Sequence, residues 1–156
     1  MEVTNTQEMN TIVPYVIEQT SSGERSYDIY SRLLKDRIIM LTSQFNGHLA
    51  SSIVSQLMFL ENEDNTQPIR LYINSPGGSV NDGLAIYSVM NFIKSPVHTY
   101  VLGMAASMGS FIANAGEAGH RYVLSESRTM VHRVSAGYSG ARGTMYNLDL
   151  ELQDTI

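Results

Sequence analysis

Two hydrophobic periods alternate along this chain, and the switch between them predicts the elements. Ile38-Ile39-Met40-Leu41, Ile69 to Asn74 and Val97 to Leu102 are short apolar-rich runs of the kind that form buried strands. Between the first two, Leu49, Ile53, Leu57 and Leu60 recur at helical spacing, with Ser51, Ser52 and Ser55 on the other side. Between the second and third, a helix over 82–94 turns Ile86, Val89, Met90 and Ile93 inward and Asn81, Ser88 and Asn91 outward, and Ser95-Pro96 stops it. Tyr27 to Leu34 predicts a short helix before the first strand, and Ser110 to Ala115, closed by Gly116, another after the third. Arg121–Leu124 and Arg128–Val131 predict short strands around a polar turn, and Met145, Leu148, Leu152 and Ile156 begin a last amphipathic helix after the glycine-rich stretch 135–143. Strands alternating with helices define an α/β protein with a largely parallel sheet.

The first twelve residues are polar and are expected to be a disordered leader or propeptide. Val13-Pro14-Tyr15-Val16-Ile17, followed by polar Gln19 to Arg25 with Gly23, predicts a mobile hairpin or loop. No internal repeat, linker or low-complexity tract interrupts the remainder, so residues 13–156 are expected to form one domain. A chain of 156 residues suffices for a real core.

Composition narrows the function classes. With 43% hydrophobic and 16% charged residues the chain is of globular type. A formal charge of −5 gives no basic footprint for nucleic acid. No apolar run has the length of a membrane span, the start lacks the basic and apolar regions of a secretory signal, and the absence of cysteine fits a cytosolic protein, so a cytoplasmic location is expected. With no cysteine there is neither a disulfide nor a thiolate metal site, and no histidine spacing fits a metal, so no metal ligands are expected. Nine methionines offer adaptable contacts.

Three points of possible chemistry follow strands. Gly77-Gly78 follows one, Ser107 in Gly103-Met104-Ala105-Ala106-Ser107-Met108-Gly109 the next, and His132 ends a later one. In a parallel sheet these carboxyl ends share one side, where ligands bind. Ser107, between strand and helix among small residues, suits a nucleophile, although a tight turn needing small residues for packing reads equally well. His132 could take its proton and pass it to a leaving amine. The backbone N–H groups of Gly78 and Met108 could hold an oxyanion. A glycine pair is, however, more often simply a strand-to-helix turn. No phosphate-loop pattern is present. His48, His98 and His120 are expected to be structural or solvated.

Ser75-Pro76-Gly77-Gly78-Ser79-Val80, Gly103 to Gly109 and Met130-Val131-His132 closely resemble the Clp protease proteolytic-subunit family, and the similarity extends upstream through Val13 to Gln19 and Gly23 to Leu34. It covers nearly everything from residue 13 to about 134. The resemblance implies a crotonase-like spiral of β-β-α units, and a serine endopeptidase with Ser107 as nucleophile, His132 as general base, and Gly78 and Met108 at the oxyanion. It implies two stacked heptameric rings (a tetradecamer) around enclosed sites, and an AAA+ unfoldase that consumes the ATP and feeds unfolded polypeptide through an axial pore. The chain itself would then hold no cofactor. The hairpin 13–25 would line that pore, 26–134 would form the head, and 135–156 would form part of the handle between rings. Departures from the family pattern are Arg133-Val134 in place of Gln-Pro after the histidine, and Arg70 where an aromatic often precedes Leu71-Tyr72 at the docking pocket. The family's triad aspartate has no counterpart up to Ile156; Asp149 and Asp154 match no family site. Residues 1–156 alone are therefore expected to be nearly inactive and to pair rings poorly. The alternatives are a non-catalytic ring subunit and a crotonase-type acyl-CoA enzyme, whose usual carboxylates are not matched by Ser107 and His132.

Overall fold

The computed structural model describes residues 13–133. The expected leader 1–12, the glycine-rich stretch 135–143, the last helix, and Asp149 and Asp154 lie outside the described residues. A hairpin comes first: β1 (Tyr15–Thr20) pairs antiparallel with β2 (Gly23–Asp28). Its second strand runs past residue 25 because the helix behind it starts later than the apolar pattern suggests. Asp28 accepts a bond from the Ser31 N–H at 3.0 Å and caps α1 (Ile29–Lys35), so Tyr27 remains in the strand. Glu18 of β1 meets both Arg32 and Lys35 of α1, tying hairpin to helix.

From there strand and helix alternate: β3 (Ile38–Leu41), α2 (Gly47–Glu63), β4 (Ile69–Ser75), α3 (Val80–Phe92), β5 (Val97–Ala106), α4 (Met108–Asn114), then β6 (Arg121–Val123) and β7 (Arg128–Met130). Asn46 caps α2 and Ser79 caps α3 through their side-chain oxygens. All strand pairs in the main sheet are parallel, in the order β3-β4-β5. β6 and β7 then follow one another along the far edge of β5, against Thr99–Val101 and Met104–Ala106 respectively. The two short strands thus belong to one edge, on either side of a turn in β5 at Gly103. This is the mixed α/β, largely parallel architecture expected.

Helices α2 and α3 and the short α4 pack on one face of the sheet. The buried set includes Ile39 and Leu41, Ile53, Leu57 and Leu60, Ile69, Leu71 and Ile73, Ile86 and Ile112, each at 1% exposure or less. Along β4 burial alternates, so Arg70, Tyr72 and Asn74 face away from the helices. On that outer face Tyr72, Tyr100 and Tyr122 stack in a ladder with ring centroids 4.7 and 4.8 Å apart. Arg37 closes the opposite end of the sheet. Its guanidinium donates to the carbonyls of Leu60, Gln67 and Pro68 and to Ser95 Oγ, joining the end of α2 to the turn before β5.

Candidate active site

β5 continues four residues beyond the apolar run, to Ala106, and α4 begins at Met108, so a single residue turns strand into helix. That residue is Ser107. Its φ of 53° and ψ of −119° are unfavourable for a side-chain-bearing residue, and several contacts hold it there. Its N–H donates to Met130 O at 2.8 Å, while its carbonyl accepts from Phe111 N at 3.1 Å and from Ser110 Oγ at 2.7 Å. Beneath it the chain passes through Gly77, where an added Cβ would stand 2.7 Å from Ser107 Cβ and 2.8 Å from Ala106 O. The turn thus admits no side chain at Gly77 without moving the serine.

Gly78 is fixed from the other side. It forms a parallel bridge with Phe45, through Phe45 N to Gly77 O at 2.9 Å and Ser79 N to Phe45 O at 3.1 Å. In that pattern the Gly78 N–H plays no part. Met108 is the first residue of α4, so its N–H has no partner inside the helix. Among the described residues neither N–H is donated to an acceptor, which leaves two backbone donors beside Ser107.

His132 lies two residues beyond β7, exposed to solvent. The Ser107–Met130 bond anchors the end of β7 to the serine turn. Ser107, His132, Gly78 and Met108 all line one cavity of about 350 Å³. No hydrogen bond joins Ser107 to His132 among those of the described residues. The cavity runs down the outer face of α4, walled by Val80, Leu84, Phe111 and Val131, with Asn114 also in its lining. Among the described residues His132 is the only ionisable side chain in its lining, which is otherwise apolar with a few polar atoms. Asn114 escaped the sequence reading, although its spacing from Ser107, two helical turns, puts it on the same face. The Met130 carbonyl and the Phe45 backbone were also invisible there, since backbone atoms leave no mark in side-chain patterns.

The other histidines stand apart from this cavity. His48 is exposed at the start of α2. His98 of β5 stacks on His120 at 4.0 Å between ring centroids, and burial, with the His120 charge next, lowers the His98 pKa. Arg70 donates to Asp36 O at 2.8 Å on the outer sheet face. Among the described residues no cluster of acidic or histidine side chains fits a metal ion, and no helix is long and apolar enough to cross a membrane.

Fold and cavity together define a class: a parallel α/β protein with a serine on a strained strand-to-helix elbow and a histidine beside it at the carboxyl ends of the strands. Comparison with known proteins places it more closely. The family model described as Clp protease matches residues 21–154. The ATP-dependent Clp protease proteolytic subunit of Streptococcus agalactiae serotype V is 60% identical over 129 residues, covering 83% of this chain and 66% of that protein. Its counterpart in Streptococcus thermophilus is 59% identical over the same length. That of Bdellovibrio bacteriovorus is 52% identical over 145 residues, 93% of this chain and 68% of that protein. The chain belongs to the Clp protease family. It spans about two thirds of the length of these curated relatives.

Proposed function

We propose that this chain is a serine endopeptidase subunit of an ATP-dependent Clp protease that degrades unfolded polypeptides. The observation that carries the reading is the convergence of Ser107, His132 and two unused backbone N–H groups on one apolar cavity. In this reading His132 draws the proton from Ser107 Oγ as the oxygen attacks the scissile carbonyl. The carbonyl oxygen becomes an oxyanion and takes hydrogen bonds from Gly78 and Met108, a contribution commonly of about 3 kcal/mol or more. His132 then protonates the leaving amine, the C–N bond breaks, and an acyl ester on Ser107 remains. Water, deprotonated by His132, hydrolyses that ester and restores the serine. No cofactor enters these steps; ATP is consumed by the partner.

The same reading supplies the setting: heptameric rings stacked in pairs, an AAA+ unfoldase delivering substrate, and a cytoplasmic location. The β1–β2 hairpin would line the entrance, the head would run to about residue 134, and the residues beyond would contribute to the handle. The hairpin's exposed Tyr15 and Ile17 give it an apolar face for that task. The missing Ser107–His132 hydrogen bond favours a second reading, a ring subunit that does not itself cleave. A fluorophosphonate probe separates the two. Labelling of Ser107, lost in Ser107→Ala while its melting curve stays unchanged, supports the protease. An unlabelled wild-type chain supports the silent subunit.

A further inference from the structure

The two backbone donors beside Ser107 both stand at helix starts. Gly78 immediately precedes Ser79, the cap of α3, and Met108 opens α4. Their separation therefore depends on how α3 and α4 pack, and the two helices meet at two levels. At the first, the Met108 side chain lies across Gly83. A Cβ built on Gly83 would stand 3.0 Å from Met108 Sδ and closer still to its Cγ and Cε. One turn further on, Tyr87 packs at an angle on Phe111 with ring centroids 5.0 Å apart. Gly83 is tied to the Gly78 turn by one bond, its N–H donating to Ser79 O at 3.1 Å. Met108 belongs to the buried core.

Gly83 has no positive φ, so no dihedral there demands glycine. A glycine inside a helix costs stability relative to alanine. What the missing side chain supplies is room. Ordinary carbon contact is about 3.5–4.0 Å, so a methyl at Gly83 and Met108 Cγ would have to part by about 1 Å. Cγ is only two bonds from the Met108 Cα, and turning the thioether end does not clear it. Either χ1 turns within a packed site or the start of α4 moves.

We propose that Gly83 is a positioning residue for the reaction: the seat it gives Met108 fixes the spacing of α3 and α4, and with it the alignment of the Gly78 and Met108 N–H groups on one oxyanion. The proposal rests on the reading of Ser107 as nucleophile with those two donors. Gly83 is outside the lining of the cavity and acts through the Met108 side chain on the Met108 backbone.

The test is fluorophosphonate labelling of the full chain, followed as rate against probe concentration. Ser107 Oγ bonds to phosphorus, fluoride leaves, His132 takes the proton, and the phosphoryl oxygen occupies the oxyanion position. Gly83→Ala is expected to lower the maximal rate about ten- to a hundredfold, the cost of misplacing a donor by about 1 Å. The half-saturating concentration should stay unchanged, because ground-state binding in the cavity is untouched. The melting curve and the final labelled fraction report folding separately, and a merely structural role would move those alone. Met108→Ala keeps the N–H but empties the seat, so it too should slow labelling. Adding Gly83→Ala to it refills part of that space and should speed labelling, a coupling between the two sites. This second comparison carries the test if Gly83→Ala alone does not fold. A wild-type maximal rate in Gly83→Ala, a loss confined to the labelled fraction, or a double variant no faster than Met108→Ala overturns the proposal. An unlabelled wild type removes the nucleophile reading and the positioning role with it. A labelled wild type with an indifferent Gly83→Ala removes the positioning role alone.

Discussion

Gly78→Ala loads stability and chemistry onto one methyl group. Gly78 has a φ of +145°, and a Cβ built there would stand 2.5 Å from Phe45 O and 2.7 Å from Phe45 N, both backbone atoms that no rotamer change can remove. Holding alanine at that φ costs about 1–3 kcal/mol. Relieving the clash means parting the Phe45–Gly78 bridge, whose two hydrogen bonds are each worth about 1 kcal/mol net. The expected loss is therefore about 3–5 kcal/mol, a large share of the 5–15 kcal/mol typical of a domain. The turn that swings away carries the Gly78 N–H with it, and in the proposed mechanism the loss of that oxyanion donor costs about 10²–10³ in rate. Denaturant midpoints and the fluorophosphonate labelling rate of the surviving folded fraction read the two effects separately. Gly47→Ala, where the new methyl meets nothing nearer than Asp82 Oδ1 at 3.9 Å, is the control and should be neutral or slightly stabilising. An unchanged midpoint in Gly78→Ala would refute the packing argument. A lowered midpoint with an undiminished labelling rate would refute the oxyanion role.

Three further outcomes follow from the same structure. Arg37 has a φ of 61°, so Arg37→Gly should lose less stability than Arg37→Ala by about 1 kcal/mol, both losing the guanidinium's bonds to Leu60, Gln67, Pro68 and Ser95; equal chemical-denaturation midpoints would mean no strain is held there. The folded-state pKa of His98 lies below its ordinary 6.5, so the unfolded chain binds the proton first and stability falls as pH drops through and below about 6.5; His98→Gln should flatten that part of the pH–midpoint curve, and an identical curve would discard the stacked pair as its source. Ser107→Gly should be more stable than Ser107→Ala by about 1 kcal/mol, both being unlabelled, because only glycine relaxes at φ 53° and ψ −119°; the reverse order of melting temperatures would show that the elbow carries no strain.

Much of this was legible in the side-chain pattern. β3 spans the predicted Ile38–Leu41, and Ile53, Leu57 and Leu60 of α2 are buried as their spacing required. Boundaries shifted where caps overrode hydrophobic periodicity: Asp28 delays α1, and Ser79 starts α3 at Val80, ahead of the first expected turn. The run Val97–Leu102 hid the far half of β5, because Gly103 and the small residues after it carry no strand propensity and extend by pairing with Arg128–Met130 on one side and Ser75 on the other. The alternation Ile69, Leu71, Ile73 against Arg70, Tyr72, Asn74 signals a sheet covered on one face, a signal that the overall apolarity of the run conceals. Ser107, Gly78, Met108 and His132 are brought to one cavity as their places after successive strands suggested. Asn114, a polar residue at the end of a short helix, breaks no pattern that would mark it.

The strain at Ser107 has a geometric reason that ties these pieces together. In a parallel sheet the strand residue before a helix spends its N–H on the neighbouring strand, and Ser107 does so on Met130 O. Its own N–H is therefore closed to an oxyanion, so in the proposed mechanism the next one, Met108, serves. A β-to-α transition through ordinary dihedrals would spread over several residues and bury that N–H in the continuing ladder. Confining the turn to one residue at positive φ makes Met108 the first residue of α4, whose N–H is left without an intrahelical acceptor. The same compression demands that Gly77 pass beneath without a side chain, which brings the Gly78 N–H alongside. Met130 O, which fixes the serine backbone, also fixes the strand end from which His132 departs two residues later. One unfavourable residue thus sets the positions of the proposed nucleophile, of both proposed oxyanion donors and of the strand end that leads to the proposed base, and its cost is met by the bonds from Ser107 N to Met130 and to Ser107 O from Ser110 and Phe111.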